Sequence, residues 1–205
     1  MSKLRNRDYT LIIDKSGSMS TKDQAGGKSR WDVMQESTLA LASKCEEFDP
    51  DGITVYTFSS QFRRYDNVTA KKVTQIFQEN EPLGRTEMAE VLNHAFDDYF
   101  QRRKSGKTKA NGEIILVVTD GQPENKKSVM KAIIEATKRL DGDEEIGISF
   151  IQIGNDSEAT TFLKGLDDDI QGLGAKFDIV DTITMEEIEK ERLSLTEVLL
   201  RTLED

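Results

Sequence analysis

The chain has 205 residues, enough for a central sheet covered on both faces, and 28 basic against 38 acidic residues give it a net charge of -10. That balance argues against general binding of nucleic acid or an anionic membrane surface and favours a soluble chain that attracts cations. No apolar stretch approaches the roughly 18 residues of a spanning helix, Met1 to Asp8 is polar rather than a signal sequence, and the lone cysteine, Cys45, cannot close an internal disulfide; together these lead to the expectation of a cytoplasmic protein.

In chain order, the first element is a buried strand from Tyr9 to Ile13 that runs into Asp14-Lys15-Ser16-Gly17-Ser18. A helix is expected over Arg30 to Phe48, and its stripe Met34, Thr38, Leu41, Cys45, Phe48 makes Cys45 a buried structural thiol. A second strand covers Ile53 to Phe58, with a short antiparallel edge strand at Gln61 to Asp66 and a short helix at Lys71 to Phe77. The loop Gly84-Arg85-Thr86-Glu87 opens a helix running from Thr86 to Arg103. The strand Glu113 to Thr119 then ends in Asp120-Gly121-Gln122-Pro123. Beyond it come a helix at Lys126 to Leu140, a strand at Gly147 to Ile153, a helix at Asp156 to Leu166, a strand at Phe177 to Val180 and a last helix at Met185 to Leu203. Thr184 and Glu187 form the capping box of that last helix. Strands alternating with helices specify an α/β fold with a mostly parallel six-stranded sheet, a Rossmann-like three-layer sandwich, in one domain spanning residues 1–205 with its core at about 9–203.

Asp14, Ser16 and Ser18 stand at alternate positions after the first strand and offer one carboxylate and two hydroxyls. Such a hard, oxygen-only set suits Mg2+, or else Mn2+ or Ca2+, and not a soft metal. Gly17 is expected to let the backbone fold over the ion. Asp120 ends a second strand, and ligands in open α/β sheets collect at carboxyl ends where strand order reverses. For Asp14 and Asp120 to share an ion, their two strands must be neighbours.

Asp14-x-Ser16-x-Ser18, followed by the lone Thr86 and then Thr119-Asp120-Gly121, resembles the metal-ion-dependent adhesion site of von Willebrand factor A domains. The resemblance covers about Tyr9 to Leu203 and is greatest to compact bacterial domains such as those of tellurium-resistance operons. It implies that Ser16, Ser18 and Thr86 hold the ion directly and that Asp14 and Asp120 hold it directly or through water. It also implies that the first strand is central, between the Ile53 and Glu113 strands, and that an Asp or Glu of a partner protein completes the ion's shell.

Enzymatic readings each lack a residue. A phosphatase of the haloacid dehalogenase type needs a second Asp where Ser16 stands. A P-loop needs Gly at Lys22, and a nucleophile elbow needs Gly at Asp14. The lone histidine, His94, lies on a helical face between Glu90 and Asp98. The basic run from Arg102 to Lys109 reads as a solvated loop, and Asp167-x-Asp169-x-Gln171 with Asp178 departs from a calcium loop at Gln171 and Asp178. The expected function is a metal-dependent protein-interaction module that is not an enzyme, with a metal-assisted phosphohydrolase, or a subunit of a metal- or ATP-dependent enzyme complex, as the alternative.

Overall fold

In a computed structural model that describes residues 2–204, the sheet has six strands: β1 (Asp8–Asp14), β2 (Ile53–Phe58), β3 (Phe62–Val68), β4 (Glu113–Thr119), β5 (Ile146–Gln152) and β6 (Val180–Thr184). Their spatial order is β3-β2-β1-β4-β5-β6, and every pairing is parallel except β2 with β3. β1 is therefore central, with Asp14 opposite Phe58 of β2 and Ile13 opposite Val118 of β4. Strand order reverses between β1 and β4, which puts the loops after these two strands side by side.

Period-two alternation decides which residues enter which core. Ile12, Val117 and Phe150 turn to one face and pack under helices α3 (Met88–Lys104), α4 (Lys126–Arg139) and α5 (Ser157–Asp169). Leu11, Ile13, Val118 and Ile151 turn to the other, under α1 (Arg30–Phe48), α2 (Ala70–Gln78) and the C-terminal α7 (Leu195–Arg201). A parallel sheet covered on both faces explains why its strands read as unbroken apolar runs. Cys45 is buried in the second core and its thiol is pushed up by burial, as expected of a structural cysteine. Among the described residues no helix is long and apolar enough to cross a membrane.

Two expectations about the C-terminal third are corrected. The last strand is Val180–Thr184 rather than Phe177 to Val180, because Asp181, Thr182 and Thr184 give it no apolar run. Its Asp181 is nonetheless buried, accepting a hydrogen bond from the Ser149 hydroxyl at 3.3 Å and lying 3.6 Å from Arg201. The last helix is broken in two. The helix α6 (Met185–Glu191) starts with the expected Thr184–Glu187 box but stops at Arg192, whose φ of 55° is left-handed. The N–H of Leu193 reaches back to the Ile188 carbonyl at 3.0 Å, and Ser194 with Glu197 forms a second capping box that opens α7.

Candidate metal centre

Asp14, the last residue of β1, is fully buried. Its Oδ1 accepts the N–H of Ser16 at 2.7 Å and its Oδ2 accepts the hydroxyl of Thr119 at 2.6 Å. Burial, with Asp120 nearby as a second raising influence, pushes its carboxyl up to about 6, against the hydrogen bonds that pull it down. After β1 the chain makes a 3₁₀ turn, Gly17–Ser20. Ser16 Oγ and Ser18 Oγ lie 3.1 Å apart, and the Ser18 hydroxyl donates to Asp120 Oδ1 at 2.9 Å. Two hydroxyls and a buried carboxylate thus form a continuous row of oxygens across the ends of β1 and β4.

Thr86 is brought to the same end by its backbone. Its carbonyl accepts the N–H of Glu124, in the loop after Asp120, at 3.1 Å. On either side, Gly84 accepts the N–H of Gly17 at 3.0 Å and Glu87 donates to the Ser59 carbonyl at 3.0 Å. Thr86 is nearly buried and lies before α3, whose N-cap is Glu87 with no side-chain cap bond. Helix capping therefore does not account for the threonine. The glycine this arrangement requires is not Gly17, which has no positive φ and where a Cβ would meet Gly84 O at an ordinary 3.6 Å. It is Gly84, with φ of 92° and room for a Cβ only 2.7 Å from Ser60 Oγ.

Arg30 and Asp23 were not singled out by sequence, and Thr119 was read only as the first residue of the Thr119-Asp120-Gly121 motif, with no role of its own. Arg30, the first residue of α1, donates from Nη1 to Asp120 Oδ2 at 2.9 Å and from Nη2 to Asp23 Oδ2 at 2.6 Å. Hydrogen bonding to Arg30 holds the Asp23 carboxyl down at about 2. A sequence signal existed: a cation in the first turn opposes the helix dipole, so an arginine there implies acidic partners.

The remaining sequence candidates serve the fold. His94 is exposed on α3, as expected of a solvated helical face, and its Nδ1 also lies 3.0 Å from the Tyr56 hydroxyl with its ring against Phe62, while Asp98 pairs with Arg64 and Arg102. The basic run is not a free solvated loop, since Arg102 pairs with Asp8 and Glu113, Arg103 with Glu145, and Lys109 with Asp49. These charges border two grooves of about 640 and 530 Å³ at the opposite end of the sheet. Asp167 accepts the N–H of Thr182 at 2.8 Å and Asp178 that of Val180 at 3.4 Å, so both acids bind the backbone of β6. Among the described residues no three His, Cys, Asp or Glu side chains gather into a group able to hold a metal; the centre at Asp14 and Asp120 has two carboxylates and depends on hydroxyls for the rest.

Three solved structures share the fold. The chain matches a D319A mutant of the PilB minor pilin from Streptococcus sanguinis with a TM-score of 0.65 and 15% identity, over 98% of this chain and 62% of the pilin. It matches proximal thread matrix protein 1 from the mussel byssus with a TM-score of 0.62 and 16% identity, over 97% of this chain and 48% of that one. The third is a manganese-loaded Plasmodium vivax TRAP protein, with a TM-score of 0.58 and 16% identity, over 97% of this chain and 74% of that one. The chain thus spans about three-fifths of the pilin and about half of the byssus protein. No curated protein matches the chain in sequence. The expected cytoplasmic placement is corrected by these relatives, since a pilin and a byssus thread protein work outside the cytoplasm. A polar start and a lone cysteine exclude an internal disulfide and fix no compartment. The sequence profile of the von Willebrand factor type A domain matches residues 9–122, more than half of the chain, and the protein belongs to that family.

Proposed function

We propose that the protein is a binding module whose partner contact is made through a divalent cation, held by Ser16, Ser18 and Thr86 with Asp14 and Asp120 behind them. The observation that carries this is the row of Ser16 Oγ, Ser18 Oγ and Asp120 Oδ1, with successive separations of 3.1 and 2.9 Å, at the reversal of strand order. The donors fit Mg2+ or Mn2+: all are oxygens, and the two buried carboxylates supply the negative charge that such an ion needs. A bound ion would supply an electrophilic point able to accept a carboxylate from an acidic residue of another protein.

The chain's own residues prepare that contact. Thr119 and the Ser16 N–H fix the Asp14 carboxylate, and the Gly84 loop fastens Thr86 against the Ser16 turn through backbone bonds. The neutral hydroxyls leave more charge on the ion than carboxylates would, which favours an acidic partner. One similar structure, the Plasmodium vivax TRAP protein, is described as manganese-loaded, and this supports the same chemistry here. Catalysis has no equipment at this end of the sheet. Ser16 stands where a phosphatase of the haloacid dehalogenase type needs a carboxylate, and the only histidine is engaged by Tyr56. Immobilised chain incubated with an acidic-protein fraction, with Mg2+ or with EDTA, tests the proposal. Capture that requires Mg2+ and is lost in Asp120→Ala is expected; equal capture under all conditions would refute it.

A further inference from the structure

We propose that Arg30 decides which divalent cation this centre accepts, favouring a small octahedral ion such as Mg2+ over Ca2+ by withholding one oxygen of Asp120; this rests on the metal-centre reading above. The two oxygens of Asp120 have separate partners. Oδ1 accepts from the Ser18 hydroxyl, within the row of candidate ligands, and Oδ2 accepts from Arg30 Nη1, each at 2.9 Å. Asp14 is engaged at both oxygens as well, by the Ser16 N–H and the Thr119 hydroxyl. Neither carboxylate presents a free pair of oxygens.

Ca2+ takes six to eight oxygens and draws on carboxylates that bind through both oxygens, whereas Mg2+ holds six single oxygens and keeps several waters. A centre limited to one oxygen per carboxylate is therefore short of ligands for Ca2+ and not for Mg2+. Arg30 is built to maintain that limit. Its Nε and Nη2 both bond Asp23, at 3.0 and 2.6 Å to Oδ2, so the guanidinium is anchored from the far side. Gly154, in the loop after β5, leaves the space it occupies: a Cβ there would stand 3.2 Å from Nε and 3.3 Å from Cζ. A guanidinium does not deprotonate, so the pin cannot be released by titration of Arg30. Asp23 is the anchor and Asp120 the oxygen withheld, which makes Arg30 a positioning residue rather than a ligand.

The test is calorimetric titration of the full chain with Mg2+ and, separately, with Ca2+. Loss of the Arg30 charge strengthens the binding of both ions alike, because both are divalent, so the ratio of the two dissociation constants reports the pin and the separate affinities do not. Arg30→Gln is expected to shift that ratio toward Ca2+ by about tenfold, the scale on which groups behind metal ligands act. Asp23→Asn, which slackens Arg30 without touching Asp120, is expected to shift it the same way by less, and decides the matter if Arg30→Gln fails to fold. A ratio unchanged in the folded variants, with metal still bound, overturns the role of Arg30 and leaves the metal centre standing. Absence of binding of either ion to the unaltered chain overturns both.

Discussion

The two ends of the sheet hold buried carboxylates under opposite conditions. At the start of β4, Glu113 is buried and bonded to Arg102, which also pairs with Asp8 and Asp98 at 2.7 Å each, while the Thr10 hydroxyl caps its other oxygen. At the end of β1, Asp14 is equally buried but is met by neutral donors only. The one guanidinium nearby, Arg30, is divided between Asp120 and Asp23. Burial raises both Glu113 and Asp14, and each has a second carboxylate pushing it further, Asp8 and Asp120 respectively, but only Glu113 has a cation, Arg102, drawing it back down. The same fold neutralises its buried acids internally where stability alone is at stake and leaves a deficit of positive charge where a cation would be added.

Removing ligands at one end and the pair at the other separates these roles. Asp14→Ala and Asp120→Ala are each expected to weaken Mg2+ binding beyond calorimetric detection, at least about a hundredfold, while the fold persists. Arg102→Met should leave Mg2+ binding unchanged but destabilise the chain by about 3 kcal/mol in urea unfolding, because it strands Glu113 as a buried unpaired charge. Undiminished Mg2+ binding in both aspartate variants would end the comparison, and an Arg102 variant of full stability would show that the far end is not held by its pairs.

What could be seen in sequence follows the same division. Asp14, Ser16, Ser18 and Asp120 were legible because each follows a strand buried on both faces, whose apolar run marks its own end. Thr86 came from family resemblance, and only the backbone bonds from Gly17, Glu87 and Glu124 show how its loop reaches the site. Arg30 and Asp23 were missed because ion pairs across a loop have no period. β6 was misplaced because its polar residues are satisfied by Ser149, Arg201 and the Leu163 carbonyl, partners remote in sequence. The break after Glu191 was legible in principle, since Ser194-Leu195-Thr196-Glu197 repeats the capping pattern already recognised at Thr184.

A pH series sharpens the contrast further. The Asp14 carboxyl is raised from 3.8 to about 6 in the folded chain, so between these values the folded state holds a proton that the unfolded state has released. Stability of the metal-free chain from this group is therefore present below about pH 4 and is lost as pH rises through about 6, by about 3 kcal/mol. Unfolding in EDTA at pH 5 and pH 7, compared with Asp14→Asn, should show the part of that fall lying in this window, about 1 kcal/mol, in the parent and not in the variant. Mg2+ should flatten it. A parent and variant with the same pH slope would mean that Asp14 is not under strain.

The smallest effect on stability is expected at Thr86, where the comparison is most delicate. Its backbone carbonyl, which no side-chain substitution removes, ties the loop to Glu124, and its neighbours are fastened through Gly84 and Glu87. The hydroxyl plays no part in capping α3. Thr86→Ala thus deletes a single oxygen and one methyl group and should lower stability by about 1 kcal/mol, the typical cost of a single substitution. The same deletion removes one of three neutral ligands, so Mg2+ binding should fall by about tenfold. Thr86→Ser, which keeps the oxygen, should restore most of it. A large loss of stability with Mg2+ binding intact would make the hydroxyl a structural group, and an Ala variant that binds as well as the Ser variant would take Thr86 out of the centre and leave the cation to the ends of β1 and β4.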